Sequence, residues 1–331
     1  MPNRKTFDNG QSCVIERATT VYYNIGITDL ETERHVVGEI TNYRNLADKI
    51  QEKVYNSSHS PPSENCLEEC NTFIDYNLDK RYFDVRFAEY EGQADTLRTS
   101  KHLIKELYNH PIYECLRRLA PHTSFPGIAL MIYKFRYASA LAVSGRVQKA
   151  KKVADKGMEK LQLYLNETSM ARVNASCLYG YVNVVLAGIS QIPQTEQMDD
   201  IKEWIEKGLE QVKAIKDNGV ANMWARMFLV KKACVLLKIG LSGEDISGQD
   251  NEDISHEDRD AARKSLEEAE EHWTNTDERR LMLYKRAEAK LQRLAGDKEA
   301  ALESLRYAIT IAHQFKREEE SYQHILQNWT A

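Results

Sequence analysis

Three cations stand near the end of the chain, Arg286, Lys290 and Arg293, spaced four and three apart. That spacing puts them on one face of a helix. There, guanidinium and ammonium donors together suit a carboxylate, such as one carried by a peptide. The same side chains also fit a plainer description, solvated cations on an end helix. A second group, Arg146, Lys149, Lys152 and Lys156, falls in residues 101–160, where twelve Lys and Arg stand against four Asp and Glu. Such charge suits the phosphates of RNA or of a nucleotide ligand. Against this, few aromatic residues interleave the basic ones of 146–160, and base stacking would want them.

No catalytic pattern accompanies these cations. The sequence has no G-x-x-x-x-G-K-[ST], G-x-G-x-x-G, H-E-x-x-H or G-x-S-x-G. Its nine histidines are dispersed. Cys66 and Cys70 form a helical stripe with Phe73 and Ile74, which is the pattern of core cysteines. His59 upstream could add a third metal ligand, but nothing supplies a fourth at a recognised spacing. The acidic pairs Glu68-Glu69 and Glu267-Glu268 are adjacent, so on a helix they point apart. The expectation is a non-enzymatic chain with no cofactor and no metal.

Composition narrows the class. Apolar residues make up 42% and charged residues 29%, a balance that can bury a core. With only 7 Pro and 15 Gly among abundant Ala, Leu, Glu and Lys, helix is favoured over sheet. A net charge of −5 argues against general polyanion binding. The other cysteines are scattered singly, as in a reducing compartment. The opening MPNRKTFDNG lacks the apolar core of a signal peptide. The most apolar run, 177–189, is shorter than the ~20 residues that span a bilayer. The expected setting is cytoplasmic, without membrane insertion, and the four N-x-[ST] sequons carry no meaning there.

The elements that position the cations repeat. Ala150, Ala154 and Gly157 follow steps of four and three, as do Ile201, Ile205 and Gly208, then Ala262, Leu266 and Ala269, then Ala301, Leu305 and Ala308. Small residues at the outer positions let a neighbouring helix approach closely. Each stripe follows an apolar helix pattern, at 129–145, 169–188, 221–240 and 280–296, and each pattern ends in Gly. Gly145, Gly188, Gly240 and Gly296 are therefore expected to end helices in the left-handed conformation. Ser255 and Asp297 are expected N-caps. With the two longer loops taken out, the units are 39 to 44 residues long, the length of a helix pair.

The last unit, with Ala301, Leu305 and Ala308 after Gly296-Asp297, resembles a tetratricopeptide repeat, as do residues 145–157. Tyr284 stands for the family's first-helix Trp, and Ala138 and Leu141 loosely match its small and aromatic sites. For residues 126–331 the resemblance implies an all-α fold, an α-solenoid of antiparallel helix pairs whose first helices line a concave groove. It would place Ile132, Phe135, Ser139, Leu178, Val182, Val230 and Cys234 on that surface beside Arg286, Lys290 and Arg293. Family members that clamp chaperone C-termini use Lys or Arg with Asn on successive first helices; the corresponding residues here are Ser139, Val182 and Cys234. The implied function is a scaffold or adaptor that binds a protein or peptide partner, with RNA or nucleotide-ligand binding through 101–160 as the alternative.

Residues 1–125 are expected to be a mostly helical N-terminal region, either degenerate repeats or a cap. Residues 31–55 carry a long amphipathic pattern, and 57–66 form a loop. Residues 241–280 hold fourteen Asp and Glu against five Lys and Arg. A basic centre with an acidic flank suits charge-complementary partners or self-association. The insertion 241–258 is expected to be a mobile loop. Residues 315–329 are expected to cap the solenoid with Tyr322, Ile325, Leu326 and Trp329 turned inward.

Overall fold

The computed structural model describes residues 126–330 except 144, 192–194, 217, 247–253, 274–277 and 316–318. The expectations for 1–125, Cys66, Cys70 and His59 among them, lie outside the described residues. These are about 82% helical and contain no strand, so the all-α expectation holds. Their helices, in order, are α1 Ile128–Val143, α2 Val147–Leu161, α3 Ala171–Gln191, α4 Thr195–Lys213, α5 Asn218–Leu236, α6 His256–Glu271, α7 Glu278–Leu294, α8 Lys298–Phe315 and α9 Glu319–Thr330.

The chain forms two units, one of Met1–Ser144 with Asp155–Tyr164, the other of Gly145–Ala154 with Leu165–Ala331. In the first, Phe135 of α1 lies against Gly157 of α2. A Cβ on Gly157 would come within 3.0 Å of the ring, so the small residue sets how closely the helices approach. Ile128, Met131, Ile132, Ala138 and Leu141 are buried with it.

In the second unit each helix packs on its neighbour in sequence: α3 on α4, α4 on α5, α5 on α6, α6 on α7, α7 on α8 and α8 on α9. α5 also touches α3 and α7. All four small-residue stripes are buried, from Ala150 and Ala154 to Ala301, Leu305 and Ala308. Ala262, Leu266 and Ala269 of α6 share one apolar cluster with Val230 and Ala233 of α5 and with Ala287 and Leu291 of α7. The stripe residues are therefore the seats on which first helices rest. At Gly208 of α4 the fit is tightest, since a Cβ there would fall 2.3 Å from the ring of Phe228 in α5.

The helix ends partly match expectation. Gly145 and Gly296 take positive φ, at 76° and 88°. At Gly296 two bonds close the turn, Asp297 N–H to Gln292 O and Gly296 N–H to Arg293 O. Asp297 Oδ1 then accepts the Ala300 N–H at 3.1 Å, starting α8. Ser255 Oγ likewise accepts the Asp258 N–H at 3.0 Å to start α6. Two of the four glycines behave otherwise. Gly188 lies inside α3, which runs on to Gln191. After α5 the left-handed residue is Lys238, φ 52°, closed by Ile239 N–H to Cys234 O and Lys238 N–H to Val235 O. A non-glycine residue tolerates that conformation where the surrounding bonds fix it.

Among the described residues one helix, Thr168–Ser190, is long and apolar enough to cross a membrane, and 67% of its apolar window is buried in the fold. It carries Asn174, buried, whose Nδ2 donates to Gln211 Oε1 at 3.0 Å.

Candidate functional site

Two polar sites lie along the first helices of the second unit. At the first, α7 presents Arg286 and Lys290 inward rather than to solvent; they are 0% and 2% exposed. Their counter-charge comes from the start of the acidic insertion. Residues 238–246 fold into a tight loop held by Ile246 N–H to Lys238 O and Gly240 N–H to Glu244 O, with an antiparallel bridge between Ile239 and Asp245. Arg286 Nε donates to Gly243 O and Nη2 to Asp245 Oδ1, both at 2.9 Å. Lys290 Nζ donates to the same Asp245 oxygen.

Two cations thus share one carboxylate. Burial pushes the Asp245 carboxyl up, but Arg286 and Lys290 together outweigh it and hold it below the ordinary carboxylate value. Burial lowers Lys290, and Asp245 only partly offsets this because Arg286 shares the carboxylate and repels the ammonium. The C-terminal helix completes the cluster. Trp329 lies under the guanidinium groups of Arg286 and Arg293, at 5.3 and 4.5 Å from the ring centre. Tyr322, fully buried, closes on Gly243, where φ is 85° and a Cβ would come within 2.0 Å of the ring.

The expectation that Arg286, Lys290 and Arg293 await a peptide carboxylate is corrected here. The chain's own Asp245 holds the first two, and Arg293 is half-buried over Trp329. The start of the insertion, expected to be a mobile loop, is the ligand. Sequence spacing finds which cations share a face but not which distant carboxylate the fold brings to them.

The second site lies between α3 and α5. Tyr179 of α3 meets Trp224 and Phe228 of α5 edge-on, at 5.9 and 5.5 Å between ring centres. Lys231 of the same α5 face reaches the Tyr179 ring at 5.7 Å. Trp224 and Lys231 are each 2% exposed. Among the described residues Lys231 makes no ion pair or hydrogen bond. Trp224 Nε1 is buried without a hydrogen-bond partner, and so is Asn183 Oδ1, one helical turn beyond Tyr179. Sequence reading took Lys231 as part of an apolar helix. Its spacing of seven and three from Trp224 and Phe228 was the available signal that it lies on the inward face.

The other expected groove residues are core. Phe135, Ser139, Leu178 and Val182 are 1%, 3%, 0% and 0% exposed, and Ile132, Val230 and Cys234 are buried with them. The reason is that α1, α3 and α5 are apolar around most of their circumference, so neighbours cover more than one face. Cys234 carries a free thiol that burial pushes above its ordinary value, against the pull of Lys231, Arg286 and Lys290. By contrast Arg146, Lys149, Lys152 and Lys156 are all exposed, on or just before α2. Among the described residues no group of three or more His, Cys, Asp or Glu is placed to hold a metal ion. No protein-family model, curated protein or solved structure matches this chain.

Proposed function

We propose that residues 126–331 are a tetratricopeptide-like α-solenoid, and that the chain is a non-enzymatic cytoplasmic scaffold binding a protein or peptide partner along its first helices. The observation that carries this is the packing order. Successive helices pair, α5 also reaches both α3 and α7, and small-residue stripes seat the helices between them. Stacking of that kind yields an extended surface with many independently variable side chains. α9 supports the reading as a cap: Tyr322 and Ile325 are buried, while Gln323, His324, Gln327 and Asn328 face outward. The buried free thiols of Cys177 and Cys234 fit a reducing compartment.

Affinity capture with cross-linking tests it. A protein partner whose cross-links map to α3, α5 and α7 supports the reading. Links confined to α4, α6 and α8 would sink the groove.

A second reading, RNA or nucleotide-ligand binding, draws on the exposed cations of α2. It predicts that reversing Lys149, Lys152 and Lys156 abolishes binding, and that affinity falls steeply with salt. An absence of RNA binding at low salt disposes of it.

A further inference from the structure

The two sites on the first helices differ in whether their buried cations meet a carboxylate among the described residues. On α7 the fold itself shows how this surface takes an acidic segment. A backbone carbonyl, Gly243 O, and a carboxylate two residues on, Asp245, are read together by Arg286 and Lys290. On the neighbouring first helices the recognising groups are present, and no described carboxylate or hydrogen-bonding group answers them. Lys231 is 2% exposed and has no counter-charge among the described residues, Trp224 has a buried indole N–H without an acceptor, and Asn183 has a buried carboxamide oxygen without a donor. Trp224 and Lys231 both lie against the ring of Tyr179, and Asn183 follows it by one turn of α3. Tyr179 and Asn183 are half-buried residues at the edge of the site, while Asn183 Oδ1 and Trp224 Nε1 are themselves covered.

We propose that Asn183, Trp224 and Lys231 form a seat for an Asp or Glu side chain within an internal, acidic segment of a partner protein. The carboxylate would take the Lys231 ammonium and the Trp224 N–H, as charge-assisted bonds to one anion. The Asn183 carboxamide would accept a peptide N–H of the same segment, so that a backbone group and a carboxylate are read together, as on α7. The inference rests on the scaffold reading above and names the chemistry of its ligand. An internal segment is favoured over a free C-terminus because the segment the chain already binds, 243–245, is internal.

The test uses the full chain and an array of twelve-residue peptides with acetylated N-termini and amidated C-termini, each with a central Asp or Glu. Matched peptides carry Asn or Gln at the centre, and a further set has the neutral centre with a free C-terminal carboxylate. The expected result is at least a tenfold preference for acidic over amide centres at low salt. That preference should disappear in Lys231→Met and fall in Trp224→Phe, while Lys264→Glu, on the exposed face of α6, leaves it unchanged. Thermal melts of both site variants establish that they fold, and Lys231→Met is expected to melt no lower than the parent. If peptides bind equally with acidic and amide centres, or if Lys231→Met keeps the preference, the seat is refuted while peptide binding stands. If only free C-termini are retained, the internal-segment assignment is wrong. Binding of no peptide at all overturns the seat, and the absence of cross-linked partners on α3, α5 and α7 separately overturns the scaffold.

Discussion

The cations of α7 and the cation of α5 sit on neighbouring first helices and have opposite fates. Arg286 and Lys290 are buried against a carboxylate that the chain supplies from forty residues upstream. Lys231 is 2% exposed and, among the described residues, meets the face of Tyr179 and no carboxylate. The first arrangement is therefore structural, because removing Asp245 strands two buried cations away from water. The second has no carboxylate among the described residues, which is the ground on which a recognition role is proposed for it. Burial alone does not distinguish the two; the partner does.

The largest effect expected from breaking this contrast is on the α7 side. Asp245→Ala leaves Arg286 and Lys290 buried without a carboxylate. It should cost about 3 kcal/mol, the low end for a broken buried pair because the Asp245 side chain is 32% exposed. Chemical denaturation of the full chain would measure it, and a loss below about 1 kcal/mol would mean the latch is dispensable. Next comes Gly243→Ala. It forces a side chain into left-handed backbone and against Tyr322, and should cost about 2–3 kcal/mol. Gly208→Ala should cost about 1–2 kcal/mol, the overpacking against Phe228 offset in part by the better helix propensity of Ala. Lys231→Met should carry the opposite sign, from neutral to about 1 kcal/mol of added stability, since it removes an uncompensated ion. A clear loss in that variant would place Lys231 with Arg286 as a structural cation and erase the distinction.

Acid sharpens the same comparison with the smallest shift. The folded-state pKa of Asp245 is depressed, so its contribution is present above the unfolded value of about 3.9 and is lost as pH falls through the folded value. The stability gap between the parent and Asp245→Asn should hold from pH 7 to about pH 5 and narrow below pH 4. Denaturation midpoints across that range would check it. A gap that is constant down to pH 2 would mean that Asp245 is not the titrating partner.

Much of the helical framework was legible because helix periodicity is local. The stripes ending at Gly157, Gly208, Ala269 and Ala308 are all buried, and Asp297 and Ser255 cap the helices they were expected to cap. The glycine rule read from sequence was right at Gly145 and Gly296 and wrong at Gly188 and Gly240. In the last case Lys238 took the left-handed turn two residues earlier because its neighbours closed both bonds. The site was less legible. Phe135, Leu178 and Val182 lie on helices that are apolar around most of their surface, so no face could be assigned to a groove from the pattern alone.

The sequence by itself determined that the described part is helical, where some of its helices begin and end, and which small residues let them approach. Those properties depend on residues three and four apart. Only the tertiary structure decided the fate of each buried charge. Asp245 reaches Arg286 across 41 residues and Lys290 across 45, whereas Lys231 reaches no carboxylate among the described residues. Electrostatic partners are set by distance in space, and nothing in the spacing of Lys231 or Asp245 along the chain encodes which of them is answered.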